Sequence, residues 1–184
     1  MTGSMRFVTF LVTLLFSITL ADANQQVLLR VQWQQLELQQ QALNPQEKLQ
    51  RVQDLSAFIA LQPDLTTQVE KVPYQVFNTG MANEAELAFA KWVMFINLGY
   101  NPNQFRLVYI QQEQSQKNHV WLAMYEPSGG KLITSNQIVD QSELETILIT
   151  NQLNIISVLD PNQVLNSRQE KRRSRNQEQN MLFL

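Results

Sequence analysis

The clearest apolar pattern in the chain lies between Asn83 and Gly99. Apolar residues recur there at the i, i+3 and i+4 spacing of an amphipathic helix. Asn83 with Glu86 three residues later is a capping-box pattern that starts helices, and a glycine such as Gly99 commonly follows a helix end. We expect this central helix to be the most buried in the domain. Its apolar stripe consists of Leu87, Ala90, Val93, Met94 and Leu98.

Two helices are predicted before the central one. The segment from Gln25 to Leu43 has broadly helical apolar spacing among many glutamines, which indicates a surface helix. Asn44 and Glu47 repeat the capping pattern around Pro45 and start a second helix. We expect Pro63 to end it. Its apolar stripe consists of Leu49, Val52, Leu55, Phe58 and Ile59.

The second half of the chain alternates apolar and polar residues in a way that favours strands. Residues 64–82, with Pro73 and Gly80, are predicted to be a long connection with one helical turn. Helices followed by an antiparallel meander indicate an α+β fold. The predicted strands are Phe105–Gln111, His119–Glu126, Lys131–Thr134 and Asn154–Leu159, with a helix at Ser142–Ile149.

The first 23 residues have the pattern of a cleaved signal peptide. A single positive charge in Met1–Arg6 precedes the apolar run Phe7–Leu20, and Ala21 and Ala23 form a small-x-small cleavage site. The alternative is a transmembrane anchor, for which the apolar run is short. We therefore expect export to the periplasm and a single mature domain over residues 24–162.

Composition excludes several kinds of chemistry. The chain has no cysteine, so it has no disulfide, no thiol nucleophile, no iron–sulfur cluster and no cysteine zinc site. A net charge of −2 predicts no partner by itself. Residues 163–184 form a basic tail that we expect to be disordered. The more specific alternative is that the tail contacts an anionic membrane or nucleic acid. Of these two partners, we predict no nucleic acid. The basic residues of the tail are Arg168, Lys171, Arg172, Arg173 and Arg175.

The order of the central helix, the histidine strand and the next strand resembles one bacterial family. That family is the transglutaminase-like cysteine peptidases, the LapG-like periplasmic proteases that cleave surface adhesins. The resemblance spans about residues 43–159 and implies a papain-like, transglutaminase-like α+β fold, with N-terminal helices and a central helix packed on an antiparallel sheet. The matching segments are Ala82–Trp92, Leu98–Gly99, Phe105–Ile110, His119–Leu122 and Leu132–Asn136.

The resemblance implies that the catalytic residues are largely lost. The family's cysteine falls on Glu84, its histidine on His119 and its triad aspartate on Ser135, while Asn136 matches the following asparagine. A carboxylate cannot replace a thiolate in peptide cleavage, because its acyl product would be an anhydride. We therefore predict a degenerate member without peptidase activity, in which these three positions are vestigial.

The same residues also have structural interpretations. Glu84 in the first turn of a helix is favourable for the helix dipole. His119 is a candidate hydrogen-bond partner of Glu84, and the two would form an ion pair at acid pH. A Ser135–His119 dyad is an alternative that nothing orients. Trp121 and Tyr125 alternate on the histidine strand and suit the core or a cleft wall. The residues predicted to line the cleft are Asn83, Glu86, Asn136 and Trp121.

The resemblance also concerns calcium. The acidic residues that help to bind calcium in the family fall on Asn83 and Ala85, whereas Glu86 keeps a carboxylate. Calcium needs several oxygen ligands. We therefore expect that the calcium site is lost and that the protein carries no metal or other cofactor.

These observations favour an inactive, exported binding or regulatory module related to adhesins and biofilm. The partner would be a periplasmic protein or peptide, such as an adhesin segment or an inner-membrane receptor. Two alternatives remain open: an active hydrolase that uses Glu84 and His119 as an acid/base pair, and a structural envelope protein whose cleft is only packing.

Overall fold

The computed structural model describes residues 27–62, 71–127 and 129–167. The predicted signal peptide, Pro63 and residues 168–184 of the tail lie outside these ranges. The helices are α1 (residues 27–39), α2 (Pro45–Ser56), α3 (Pro73–Thr79), α4 (Glu84–Asn97), α5 (Gln141–Thr150) and α6 (residues 161–167). The strands are β1 (Ala60–Leu61), β2 (Met81–Ala82), β3 (Phe105–Gln112), β4 (Asn118–Glu126), β5 (Gly129–Ile133), β6 (Ile138–Asp140) and β7 (Leu153–Leu159).

Strands β3 to β7 form one antiparallel sheet with the order β6-β5-β4-β3-β7. The first four strands follow one another as a meander, and β7 returns to pair with β3 at the opposite edge. Helices segregated from an antiparallel meander define an α+β fold, which confirms the predicted fold class.

Helix α4 is the centre of the main core. Its fourteen residues include ten that are buried, among them Phe89 and Phe95. Leu107 on β3 faces this core, whereas its neighbours Val108 and Ile110 belong to a smaller cluster against α5. Successive residues of a strand point to opposite faces, so both faces of the sheet bury apolar side chains.

Helix α2 begins as predicted but ends earlier. Asn44 and Glu47 form the capping box, and the helix ends at Ser56 rather than close to Pro63. Because the helix has already ended, Phe58 does not continue its apolar stripe and is 43 % exposed. Ile59, one residue further on, is buried in the main core.

The described part of the connection before α4, residues 71–82, contains more secondary structure than the sequence predicts. Helix α3 begins at Pro73 and ends at Thr79. The C-cap residue that follows is Gly80, whose φ of 62° is the left-handed conformation that glycine adopts without strain. Strands β1 and β2 then pair in parallel, Ala60 with Met81 and Leu61 with Ala82. Both strands have only two residues, which is too short for an alternating pattern to show. The three-residue β6 was missed for the same reason.

The described structure continues past residue 162. Helix α6 covers residues 161–167, and its Val164 and Leu165 pack against the main core. The first five residues of the predicted tail are therefore helical. In the part of the chain that the structure describes, no helix has the length and apolar character needed to cross a membrane.

Candidate functional site

Helix α4 opens on the predicted capping box. The backbone N–H of Glu86 donates to Oδ1 of Asn83 over 2.8 Å, and the N–H of Asn83 donates to Oε2 of Glu86 over 3.1 Å. Both residues are almost completely buried. This cap fixes the first turn of α4 and places Glu84 beside the start of β4.

Glu84 contacts His119 directly. Both carboxylate oxygens lie 3.0 Å from Nδ1 of His119, and Oε2 also accepts the backbone N–H of Val120 over 3.2 Å. An ionised carboxylate only accepts hydrogen bonds, so Nδ1 is the nitrogen that carries the hydrogen. The contact predicted between these two residues is therefore present, and the carboxylate bridges the first turn of α4 to β4.

The remaining ring nitrogen of His119 has no hydrogen-bond partner among the described residues. The His119 ring lies 6.0 Å from the Trp121 ring, centroid to centroid. Trp121 itself is buried in the smaller cluster on the α5 side of the sheet. Trp121 is therefore a core residue and does not form an open surface for a ligand. Tyr125, further along the strand, is exposed.

Ser135 lies in the turn between β5 and β6. Its backbone carbonyl accepts from Nζ of Lys91 over 3.2 Å and from Nε2 of Gln53 over 3.3 Å. No described contact joins its hydroxyl to His119. The side-chain oxygen of Asn136 accepts from the Thr134 hydroxyl over 3.1 Å and so supports the turn. The structure therefore brings Glu84 and His119 together but leaves Ser135 and Asn136 outside this hydrogen-bonded pair.

Lys91 is a functional candidate that sequence reasoning missed. Its side chain is 1 % exposed, and Nζ donates to Gln53 Oε1 over 2.9 Å and to the carbonyls of Thr134 and Ser135. Burial without a carboxylate partner lowers the pKa of Lys91 to about 7. The signal in the sequence is its position on the apolar face of the helix, between Leu87 and Met94 at i+4 and i+3 spacing.

A small hollow lies between α4 and the sheet, next to the Glu84 carboxylate. It measures about 150 Å³ with its open mouth included, and no water molecule fits inside it. A hollow this narrow has no room for a substrate side chain. The hollow is lined by Glu84, Leu87, Ala88, Lys91, Val120, Ile133, Thr134 and Ser135.

Glu86 has a second set of contacts that sequence reasoning also missed. Its Oε1 accepts the backbone N–H of Lys71 over 2.6 Å, and its Oε2 lies 3.6 Å from the Lys71 ammonium. Both carboxylate oxygens are thus engaged by groups of the protein itself. Within residues 27–62, 71–127 and 129–167, no three His, Asp or Glu side chains are arranged to hold a metal ion.

Solved structures of Legionella pneumophila LapG have the same fold. Calcium-bound LapG matches with a TM-score of 0.60 at 16 % identity, covering 75 % of this chain and 76 % of that one. LapG without a stated ligand and EGTA-treated LapG each match with a TM-score of 0.53 at 18 % identity, covering 65 % of this chain and 74 % of the other. No family model matches the chain, and no curated protein matches it by sequence. The chain therefore has the same α+β fold as these LapG structures.

Proposed function

We propose that this protein is a catalytically inactive, exported relative of the transglutaminase-like cysteine peptidases and acts as a binding or regulatory module in the periplasm. One observation carries the proposal. The position that matches the family's nucleophile is occupied by Glu84, whose carboxylate is held by His119 Nδ1 and the N–H of Val120. The histidine that would activate a thiol in the family instead holds a carboxylate in place.

The chemistry of this pair supports inactivity. Peptide cleavage through a covalent intermediate needs a nucleophile whose acyl product water can hydrolyse, and the chain has no cysteine to supply it. The hydrogen on Nδ1 points at Glu84, so the imidazole is already oriented by an anion at the nucleophile position. Ser135 is not hydrogen-bonded to the imidazole and provides no triad carboxylate.

A partner would lie across the mouth of the hollow rather than insert a side chain into it, because the hollow is too narrow for water. A protein or an extended peptide suits such a surface, since backbone groups and flat side chains need no pocket. By resemblance, an adhesin segment or an inner-membrane receptor would be the partner. The basic tail would add contact with an anionic membrane surface.

We infer that no calcium ion is carried at the start of α4. Calcium takes six to eight oxygen ligands, and the carboxylates available here are those of Glu84 and Glu86. The first is bound to His119 and Val120, and the second to Asn83 and Lys71. These residues do not fit a calcium ion such as the one bound in calcium-bound LapG.

Acid/base catalysis by Glu84 and His119 is the second candidate function. The free ring nitrogen of His119 favours it, because a carboxylate on Nδ1 is the arrangement that prepares Nε2 to accept a proton. The narrowness of the hollow disfavours it, because a substrate group has no room beside Glu84. A hydrolysis assay with His119→Ala separates the two candidates: activity that disappears with the imidazole would support this second function.

Binding is tested by crosslinking tagged protein in the periplasm and identifying the captured protein by mass spectrometry. Glu84→Arg should lose that partner, because it reverses the charge at the mouth of the hollow. Glu143→Arg is the matched control, since Glu143 lies in the first turn of α5 on the other side of the sheet and is exposed. Circular dichroism must show that both variants fold. Equal capture by the two variants would contradict the proposed surface.

Export is tested by the mass of the mature protein. Signal-peptide cleavage after Ala23 predicts an N-terminus at Asn24. Intact-mass analysis of a periplasmic fraction should find this species. Material that retains Met1 would contradict the proposed processing and favour a membrane anchor.

A further inference from the structure

The ammonium of Lys71 lies among oxygen atoms from three separate segments. It donates to Gln62 Oε1 over 3.3 Å and to the Met81 carbonyl over 3.3 Å, and it lies 3.6 Å from Glu86 Oε2. Gln62 directly follows β1, Met81 belongs to β2 and Glu86 to the first turn of α4. One cationic group therefore joins these segments to the start of α3.

The oxygen atoms around Lys71 are of the kinds that hard cations select. A carboxylate, a side-chain amide and a backbone carbonyl all ligate calcium and magnesium in proteins. A lysine ammonium is a compact point charge with three donors, so it can satisfy several oxygens at once. Unlike a free ion, it is attached to the chain and is present at any metal concentration.

We propose that Lys71 is the resident cation of this cluster and replaces a free metal ion as the link between the β1–β2 pair and α4. The backbone supports the same role, since the N–H of Lys71 donates to Glu86 Oε1 over 2.6 Å. Residue 71 therefore engages both oxygens of one carboxylate, one through its backbone and one through its ammonium. This role is independent of whether the Glu84–His119 pair is catalytic.

Burial makes the link matter for stability. Glu86 is 2 % exposed and Lys71 is 31 % exposed, so the anion cannot exchange its partner for water. Lys131 and Asp140 form a shorter ion pair, 2.7 Å, but Asp140 is 62 % exposed. Exposed pairs contribute little because water and salt screen them. The two lysines thus differ in the burial of their carboxylate partners and in the two further acceptors that Lys71 has.

The test compares Lys71→Met with Lys131→Met by thermal unfolding. Methionine keeps the apolar stem and removes the charge. We expect Lys71→Met to lower the thermal unfolding midpoint by about 5 °C and Lys131→Met to lower it by less than about 2 °C. These values follow from the usual change of the midpoint per kcal/mol of lost stability in a domain of this size. Equal shifts for the two variants would overturn the proposal.

A double-mutant cycle separates charge from packing. In a Glu86→Gln background, Lys71→Met should lower the midpoint by less than half as much as in the wild type, because the ion pair is already gone. Additive effects would mean that Lys71 acts through packing and would overturn the proposal. Excess calcium or a chelator should leave the wild-type midpoint unchanged. A rise of several degrees with calcium would show that a metal ion, not Lys71, is the resident cation.

Discussion

Helices α2 and α4 begin with the same capping motif in two different environments. In α2, Glu47 N donates to Asn44 Oδ1 over 2.9 Å, and both side chains are exposed. In α4, Glu86 N donates to Asn83 Oδ1 over 2.8 Å, but these residues are only 2 % and 4 % exposed. The local geometry is the same, so the difference lies in what surrounds it.

Burial converts the second cap into a tertiary junction. The carboxylate of Glu47 needs no partner beyond the Asn44 N–H, because water solvates its remaining lone pairs. A buried carboxylate must find such partners within the protein, and Glu86 finds them in residue 71. The position after the cap differs too: Pro45 begins α2, whereas Glu84 begins α4 and binds His119.

The largest expected effect comes from removing the acidic residue of each cap. Glu86→Ala should lower the free energy of unfolding by about 3 kcal/mol, because it leaves buried N–H groups unpaired and opens a cavity. Glu47→Ala should cost less than about 1 kcal/mol, since water replaces the lost acceptor. Urea denaturation measures both. Similar losses would mean that burial adds nothing to this motif.

The N-cap asparagines give a smaller contrast. Asn83→Ala should cost about 2 kcal/mol and Asn44→Ala about 1 kcal/mol, the upper and middle parts of the usual range for N-caps. The reason is that the Glu86 N–H would lose its acceptor in a site closed to water. Amide hydrogen exchange at residue 86 should accelerate in the first variant, whereas unchanged exchange would contradict the role of the cap.

Further along α4, the same burial acts on a cation that faces only neutral oxygens. The pKa of Lys91 is lowered to about 7 in the folded chain, against 10.5 in the unfolded chain. Between these values the unfolded chain binds the extra proton, so stability should increase as pH rises above 7. We expect a gain of about 1 kcal/mol between about pH 7 and about pH 8, measured by urea denaturation.

Lys91→Met is the control for this pH dependence. The variant has no ammonium to titrate, so its stability should not rise over the same interval, even though the Gln53 and Thr134 oxygens lose a donor. Burial raises the pKa of both Tyr100 and Tyr109 above the usual tyrosine value of 10.0. Their effect on stability begins where tyrosines of the unfolded chain ionise, near pH 10, which lies outside this interval. If the stability of the variant increased with pH as much as that of the wild type, a group other than Lys91 would cause the pH dependence.

The sequence predicted those parts of the fold that depend on local patterns. Motifs predicted the caps at Asn44 and Asn83. Alternation predicted the meander of β3 to β5 but not the short β6. The resemblance predicted the contact of Glu84 with His119. Helix α3 was predicted only as one turn within a connection. Its seven residues hold two buried side chains, Val76 and Phe77, which is too few for a helical period to appear.

Apart from the contact of Glu84 with His119, the partners of the charged residues in the site could not be predicted. Lys71 and Glu86 are fifteen residues apart, and Lys91 and Thr134 forty-three, so no local spacing relates them. Each contact depends on how α4 packs on its neighbours, which is a property of the tertiary structure. Lys91 gave the one usable signal, a lysine on an apolar helix face that must find acceptors when buried.

Peptidase activity tests the central claim most directly. Cleavage of an adhesin-type peptide should be undetectable for the wild type and for Ser135→Asp. Glu84→Cys should react with a thiol probe, because a helix N-terminus and an adjacent imidazole favour a thiolate, but it should cleave poorly without a carboxylate to orient His119. Glu84→Cys combined with Ser135→Asp should cleave faster than either single variant. Robust cleavage by the unmodified protein would contradict the account.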